Sequence, residues 1–182
     1  LILAGGQATR LGGVDKPLLP LGGRPIIEHL LDRLRPQAGP IALSANGDPA
    51  RYAHLGLPVL ADDVTGRGPL GGVLRGLAWA DSLGATALLT VPGDTPFIPL
   101  DLAARLGEAP AWVESPTGIH PLVAVWPVAC RAALAEWLGA QVSGRVRSFA
   151  GVIGARAVWF EEGFENINTQ DDLERVGKIL LF

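Results

Sequence analysis

The 182-residue chain has no methionine, one cysteine, one tyrosine and only 6% aromatic residues. With Cys130 alone, no disulfide can form within the chain, and the stapled scaffolds of small secreted domains are excluded. Long apolar runs are also missing, so no membrane-spanning helix is expected. Charge is sparse and nearly balanced: 18% of residues are charged and the formal net charge is −3. That balance argues against a broad nucleic-acid surface. The absence of methionine leads us to expect a natural start upstream, with the first strand beginning a few residues earlier. The opening Leu1-Ile2-Leu3-Ala4 reads as a core strand and not as a targeting peptide. A cytoplasmic protein is the expectation.

What is plentiful is aliphatic residues, glycine and proline. The 48% hydrophobic content, with 24 Gly and 15 Pro as punctuation, describes a globular chain. Its length suits one domain, residues 1–182, with one well-buried core. Short apolar runs alternate with longer amphipathic stretches. This rhythm predicts an α/β fold, a single Rossmann-like three-layer domain with a mostly parallel sheet. Strands are expected at 1–4, 41–44, 58–61, 87–91, 111–114, 122–126 and 155–160. Helices are expected at 25–34, 69–83, 128–138 and 146–153. A last helix should begin at Thr169, where Thr169 and Asp172 have capping-box spacing.

Strand one runs straight into Gly5-Gly6-Gln7-Ala8-Thr9-Arg10-Leu11-Gly12-Gly13-Val14-Asp15-Lys16-Pro17. Glycines let backbone N–H groups approach phosphate oxygens closely, and Arg10 and Lys16 add positive charge. The spacing is not that of a Walker A loop, because Asp15 precedes Lys16 and Pro17 follows it. No G-x-G-x-x-G dinucleotide fingerprint occurs in it either. A flexible turn with two solvated cations is the plainer reading. The concentration of glycines and cations directly after a buried strand favours polyphosphate binding.

A second signal is Val91-Pro92-Gly93-Asp94-Thr95-Pro96 at the end of the most apolar strand. Open α/β sheets bind ligands at the carboxyl ends of their strands. An aspartate held there suits Mg²⁺, which takes carboxylate and phosphate oxygens. A proline-rich turn would also use an aspartate, but the nearby glycine loop favours the metal reading. Asp62 and Asp63 follow another strand. The tryptophans at 79, 112, 126, 137 and 159 read as packing, and His120 as a satisfied structural histidine.

Leu3-Ala4-Gly5-Gly6, Arg10, Gly12-Gly13 and Lys16-Pro17-Leu18-Leu19 together resemble the signature of pyrophosphate-releasing nucleotidyltransferases, a GT-A-like fold. The Ala-Gly-Gly form and the Gly-Gly-x-Asp-Lys ending most resemble the molybdenum cofactor guanylyltransferase family. The likeness continues in order through Asp62, Gly68-Pro69-Leu70-Gly71-Gly72, Pro92-Gly93-Asp94-Thr95-Pro96-Phe97, His120-Pro121 and Asn166-Ile167-Asn168-Thr169. It implies GMP transfer from GTP to the phosphate of molybdopterin, with Mg²⁺ as cofactor and loss of pyrophosphate. It implies catalytic roles for Arg10, Lys16 and Asp94, the last as metal ligand.

The same resemblance places the nucleotide against Leu3, Ala4, Gly5, Gly6, Lys16, Asp62, Gly68, Pro69, Leu70 and Asp94. Ser44 stands where the family usually has Asn, and Asn46 could replace that contact. Gly93 stands where the family often has Cys. Asn166 and Asn168 would contact the acceptor or complete the metal site, or else form only a turn and a cap. A molybdoenzyme or a delivery protein is an expected partner; nucleic acid and membranes are not. A cytidylyltransferase or sugar-phosphate enzyme on the same fold is the nearer alternative. A nucleotide-binding module without chemistry is the more distant one.

Overall fold

The computed structural model describes residues 1–5, 15–61, 68–140 and 145–179. Its seven-stranded sheet uses β1 (Ile2–Leu3), β4 (Leu43–Ser44), β5 (Val59–Leu60), β6 (Ala87–Pro92), β7 (Ala111–Ser115), β8 (Gly118–Pro127) and β9 (Arg156–Trp159). The strand order is β5-β4-β1-β6-β8-β7-β9. β1 pairs in parallel with both β4 and β6, β4 with β5, and β7 with β9. Only β8 runs against its neighbours β6 and β7. The sheet is therefore mostly parallel, as expected.

Helices cover both faces. On one side lie α1 (Ile26–Leu34) and α3 (Leu102–Leu106); on the other lie α2 (Pro69–Ser82), α4 (Arg131–Gly139) and α5 (Val146–Val152). Helical spacing explains α1: Ile26, Ile27, Leu30, Leu31 and Leu34 fall on one face, and all five are buried. Leu30, Leu31 and Leu34 meet Ile2, Leu43 and Val91 of the sheet. The opposite layer packs Val73, Leu77, Leu134 and Phe149 with Leu88, Ala124 and Trp126. α6 (Gln170–Ile179) is the last described element. It has the expected reciprocal cap: the Asp172 N–H donates to Thr169 Oγ1 at 3.1 Å, and the Thr169 N–H donates to Asp172 Oδ2 at 2.9 Å.

Several small elements were not anticipated, a 3₁₀ turn at Lys16–Leu18 among them. The others are a hairpin of β2 (Pro20–Leu21) and β3 (Arg24–Pro25), a 3₁₀ helix at Pro49–Leu55, and α3. β8 also starts at Gly118, ahead of the apolar run from residue 122.

The glycines of α2 have a packing role. A Cβ on Gly72 would stand 2.3 Å from Ser44 Oγ and 3.3 Å from Ser44 Cβ, so only glycine lets the helix sit this close to β4. Gly72→Ala should therefore destabilise the protein by about 1–3 kcal/mol, despite alanine's better helix propensity. Chemical denaturation would check this. Adding Ser44→Ala should recover most of the loss, and a stable single variant would refute the close approach.

Candidate active site

The carboxyl ends of β1 and β6 lie side by side, and the chain leaves β1 toward Gly5. The Ser44 carbonyl accepts from the N–H groups of both Ala4 and Gly5, at 2.9 and 3.0 Å, while the Gly93 N–H donates to Leu3 O at 2.9 Å. β1 divides strands connected in opposite directions, the switch point where such sheets form a ligand crevice. A pocket of about 220 Å³ opens there. Leu3, Ala4, Gly5, Asp15, Lys16, Pro17, Pro69, Pro92, Asp94, Leu122 and Asn166 line it.

Lys16 starts a short 3₁₀ turn, Lys16–Leu18, in which Pro17 is buried. A Cβ on residue 93 would come within 2.9 Å of Pro17 Cγ. Gly93 thus seats the Lys16 segment directly against the Asp94 turn. The Lys16 ammonium donates to Asn168 Oδ1 at 2.7 Å and stands 3.8 Å from Asp94 Oδ2. Burial pushes the Asp94 carboxyl above the usual aspartate range, and the Lys16 charge and a backbone hydrogen bond only partly oppose that.

The segment 166–168 is stitched to the Asp94 turn. The Ile167 N–H donates to Asp94 O at 2.8 Å, and the Thr95 hydroxyl donates to Asn166 Oδ1 at 2.7 Å. Ile167 is fully buried, which fixes the two flanking asparagines at the surface. The helix cap extends the chain of contacts, because Asp172 Oδ2 also accepts from the Asn168 N–H at 3.0 Å. Hydrogen bonds from the Asn168 N–H and then the Thr169 hydroxyl hold the Asp172 carboxyl below the usual range. The asparagine segment is thus both a cap and a wall of the site.

Lys16, Asp94, Asn166 and Asn168 are brought together, with Leu3, Ala4, Gly5 and Pro69 around them. Arg10, Gly6 and Asp62 lie outside the described residues. Ser44 is buried beside Gly72 of α2 and does not line the pocket; its carbonyl anchors Gly5. Asn46 is exposed on the loop leaving β4. Gly68, with φ of 60°, turns the chain into α2, where Pro69 occupies the first turn. The Leu70 side chain is fully buried in the core, which leaves only its backbone for a ligand. His120 Nε2 lies 2.9 Å from Ser115 Oγ and 3.1 Å from Thr117 Oγ1, and burial lowers its pKa. Sequence reasoning missed Thr95 and the Arg51–Asp15 ion pair, which carry no local signature.

The Gly5 turn, a lysine and a carboxylate thus stand around one crevice at the carboxyl ends of β1 and β6. Residues 1–153 match the family model described as the MobA-like NTP transferase domain. The chain is 53% identical to the molybdenum cofactor guanylyltransferase of Acidiphilium cryptum over 178 residues, 96% of this chain and 91% of that one. It is 50% identical to the protein of that name from Cereibacter sphaeroides, covering 99% and 95% of the two chains. Among solved structures, molybdopterin-guanine dinucleotide biosynthesis protein A from Archaeoglobus fulgidus shares the fold. Its TM-score is 0.70 at 20% identity, with 99% and 97% of the chains covered. The 4-diphosphocytidyl-2C-methyl-D-erythritol synthase of Anaerococcus prevotii shares it too, with a TM-score of 0.76 at 15% identity, 100% and 94% covered. The chain is a nucleotidyltransferase. It belongs to the MobA-like NTP transferase family.

Proposed function

We propose that the chain, as one domain over residues 1–182, transfers GMP from GTP to the phosphate of molybdopterin, forming molybdopterin guanine dinucleotide and pyrophosphate. The observation that carries this reading is the convergence of Lys16, Asp94 and Asn168 beside the Gly5 turn. An acceptor phosphate oxygen attacks the α-phosphorus of GTP, a P–O bond forms, and the bond to the β-phosphate oxygen breaks. The acceptor is already anionic, so no side-chain nucleophile is needed. The protein's work is to align two anions and to offset charge as it moves to the leaving group.

Lys16 holds the triphosphate and the departing pyrophosphate, assisted by Arg10 and by N–H groups of the loop from Gly5. Asn168 fixes the ammonium, while Asn166 and Asn168 face the acceptor side. The donor set also fits Mg²⁺. Asp94 offers a carboxylate whose burial cost Lys16 only partly relieves. Among the described residues no group of three His, Cys, Asp or Glu could hold a metal unaided, so phosphate oxygens would complete the shell. Bound there, Mg²⁺ would neutralise phosphate charge. No helix among the described residues is long and apolar enough to cross a membrane. A cytoplasmic location is part of the proposed reading and rests on the lone cysteine, Cys130.

Competition binding with GTP, ATP, CTP and UTP at saturating Mg²⁺ tests the function directly. Backbone groups near Leu3, Ala4 and Pro69 can distinguish guanine from adenine, whose edges exchange donors and acceptors. Two mispaired buried groups, at about 1–3 kcal/mol each, give on the order of a hundredfold preference for GTP. Equal affinity for GTP and ATP would refute guanylyl transfer. A preference for CTP would make the protein a cytidylyltransferase.

A further inference from the structure

Asp15 sits on the pocket wall next to Lys16, where a second negative charge would oppose a triphosphate. Its Oδ2 is sealed from solvent and stands 2.5 Å from Arg51 Nη1. Tyr52 is fully buried in the same 3₁₀ helix, Pro49–Leu55, as Arg51. Burial first, and then the Asp15 charge, push the Tyr52 hydroxyl up to about 12. The rest of the Arg51 guanidinium is bound as well: Nη2 donates to Asn46 O at 2.9 Å and Nε donates to Asp48 O at 3.1 Å. Gly47, with φ of 91°, permits this crossing, since a Cβ there would come within 2.8 Å of Nη2. One side chain therefore ties the loop leaving β4 to the segment that presents Lys16.

We propose that Arg51 is a positioning residue for triphosphate binding, which neutralises Asp15 on the pocket wall and pins the Lys16 segment to the Asn46 loop. The proposal rests on the reading that this pocket takes a nucleoside triphosphate. The Arg51 side chain is 40% exposed, and an ion pair exposed on both sides would contribute little, but the carboxylate oxygen it meets is sealed. Removing the cation leaves that charge uncompensated beside the site of an incoming polyanion. The phosphates of GTP would then meet net repulsion from Asp15, while the Lys16 ammonium keeps its own anchors at Asn168 and Asp94. Arg51 itself touches no substrate, so its loss should appear in affinity and in the KM for GTP, with kcat within about threefold of the parent.

The test is calorimetric binding of GTP and of inorganic tripolyphosphate, each with Mg²⁺, to the parent, Arg51→Gln, Arg51→Lys and the double variant Arg51→Gln/Asp15→Asn. Melting temperatures are recorded for each. Arg51→Gln should bind both ligands about tenfold more weakly, and Arg51→Lys should recover part of that. Asp15→Asn in the Arg51→Gln background should restore affinity, because the uncompensated charge has gone. Parent-like binding by Arg51→Gln overturns the proposal. So does a double variant that binds no better than Arg51→Gln, which would mark a merely structural role. The parent arm tests the reading beneath it: a parent that binds neither ligand refutes the triphosphate pocket, and the proposal falls with it. A parent that binds tripolyphosphate but prefers another base corrects only the identity of the nucleotide.

Discussion

Lys16→Ala is expected to lower turnover by on the order of 10²-fold or more while leaving the fold intact, as the loss of a preorganised charge-stabilising group does. The ammonium is placed by two anchors. Asn168 Oδ1 accepts one of its protons at 2.7 Å, and Asp94 Oδ2 lies 3.8 Å away. It therefore reaches the pocket already oriented. On the proposed mechanism its charge is most useful when the pyrophosphate departs, so kcat should fall more than the KM for GTP rises. The side chain is only 22% exposed but contributes no apolar core, and stability should change little. Lys16→Arg keeps the charge, but its planar fork cannot occupy the point position of an ammonium, so it should restore only part of the activity. Steady-state pyrophosphate release with GTP and acceptor measures all three proteins. Near-parental turnover by Lys16→Ala would remove Lys16 from the mechanism.

The sequence was most legible where one physical signal ran long enough to have a period. The apolar run ending at Val91 and the helical spacing of Ile26 to Leu34 marked β6 and α1. The Thr169–Asp172 pair marked the start of α6. Two-residue strands have no period, so the β2–β3 hairpin went unread, although Gly22-Gly23, with φ values of 58° and 85°, make its turn. The short 3₁₀ helix at Pro49–Leu55 likewise had only Asp48, whose carboxylate accepts from the Ala50 N–H at 2.9 Å.

The site divides in the same way. Lys16 and Asp94 stood out because each ends an unusual loop after a buried strand. Their mutual geometry did not, because Lys16 meets Asn168 across 152 residues of chain and no local pattern encodes that distance. Motif position was also an incomplete guide to exposure. Leu70 and Gly72 fall inside a glycine-rich motif that reads as a base site, yet the Leu70 side chain fills the core and Gly72 exists for Ser44. In this segment the packing demands of Leu70 and Gly72 produce the same glycine-rich pattern that a ligand site would, and sequence cannot separate the two.

Asp94→Asn is expected to abolish most Mg²⁺-dependent turnover, by on the order of 10²-fold or more, and to make the ligand-free protein more stable at neutral pH. Both effects follow from the same burial. Burial raises the folded-state pKa of Asp94 above the usual aspartate value. The folded state therefore holds that proton more tightly than the unfolded state does, and stability falls as pH rises from the unfolded value through the folded one. Above that window the full cost of keeping the carboxylate ionised is present. A bound cation with its phosphates would offset this cost, which makes the strained charge useful to a metal site. Asparagine is nearly isosteric and neutral, so its variant should lack this pH dependence. Without ligand, the variant should melt above the parent at pH 7, and the gap should close as the pH drops below the unfolded-state value. With GTP present, added Mg²⁺ should raise the melting temperature of the parent, as a ligand of the native state does, and that of the variant much less. Thermal melts across pH, with and without GTP and Mg²⁺, read both halves together. A variant that responds to Mg²⁺ as the parent does would show that Asp94 does not hold the metal, and a variant that melts lower at pH 7 would show that its charge stabilises the ligand-free fold.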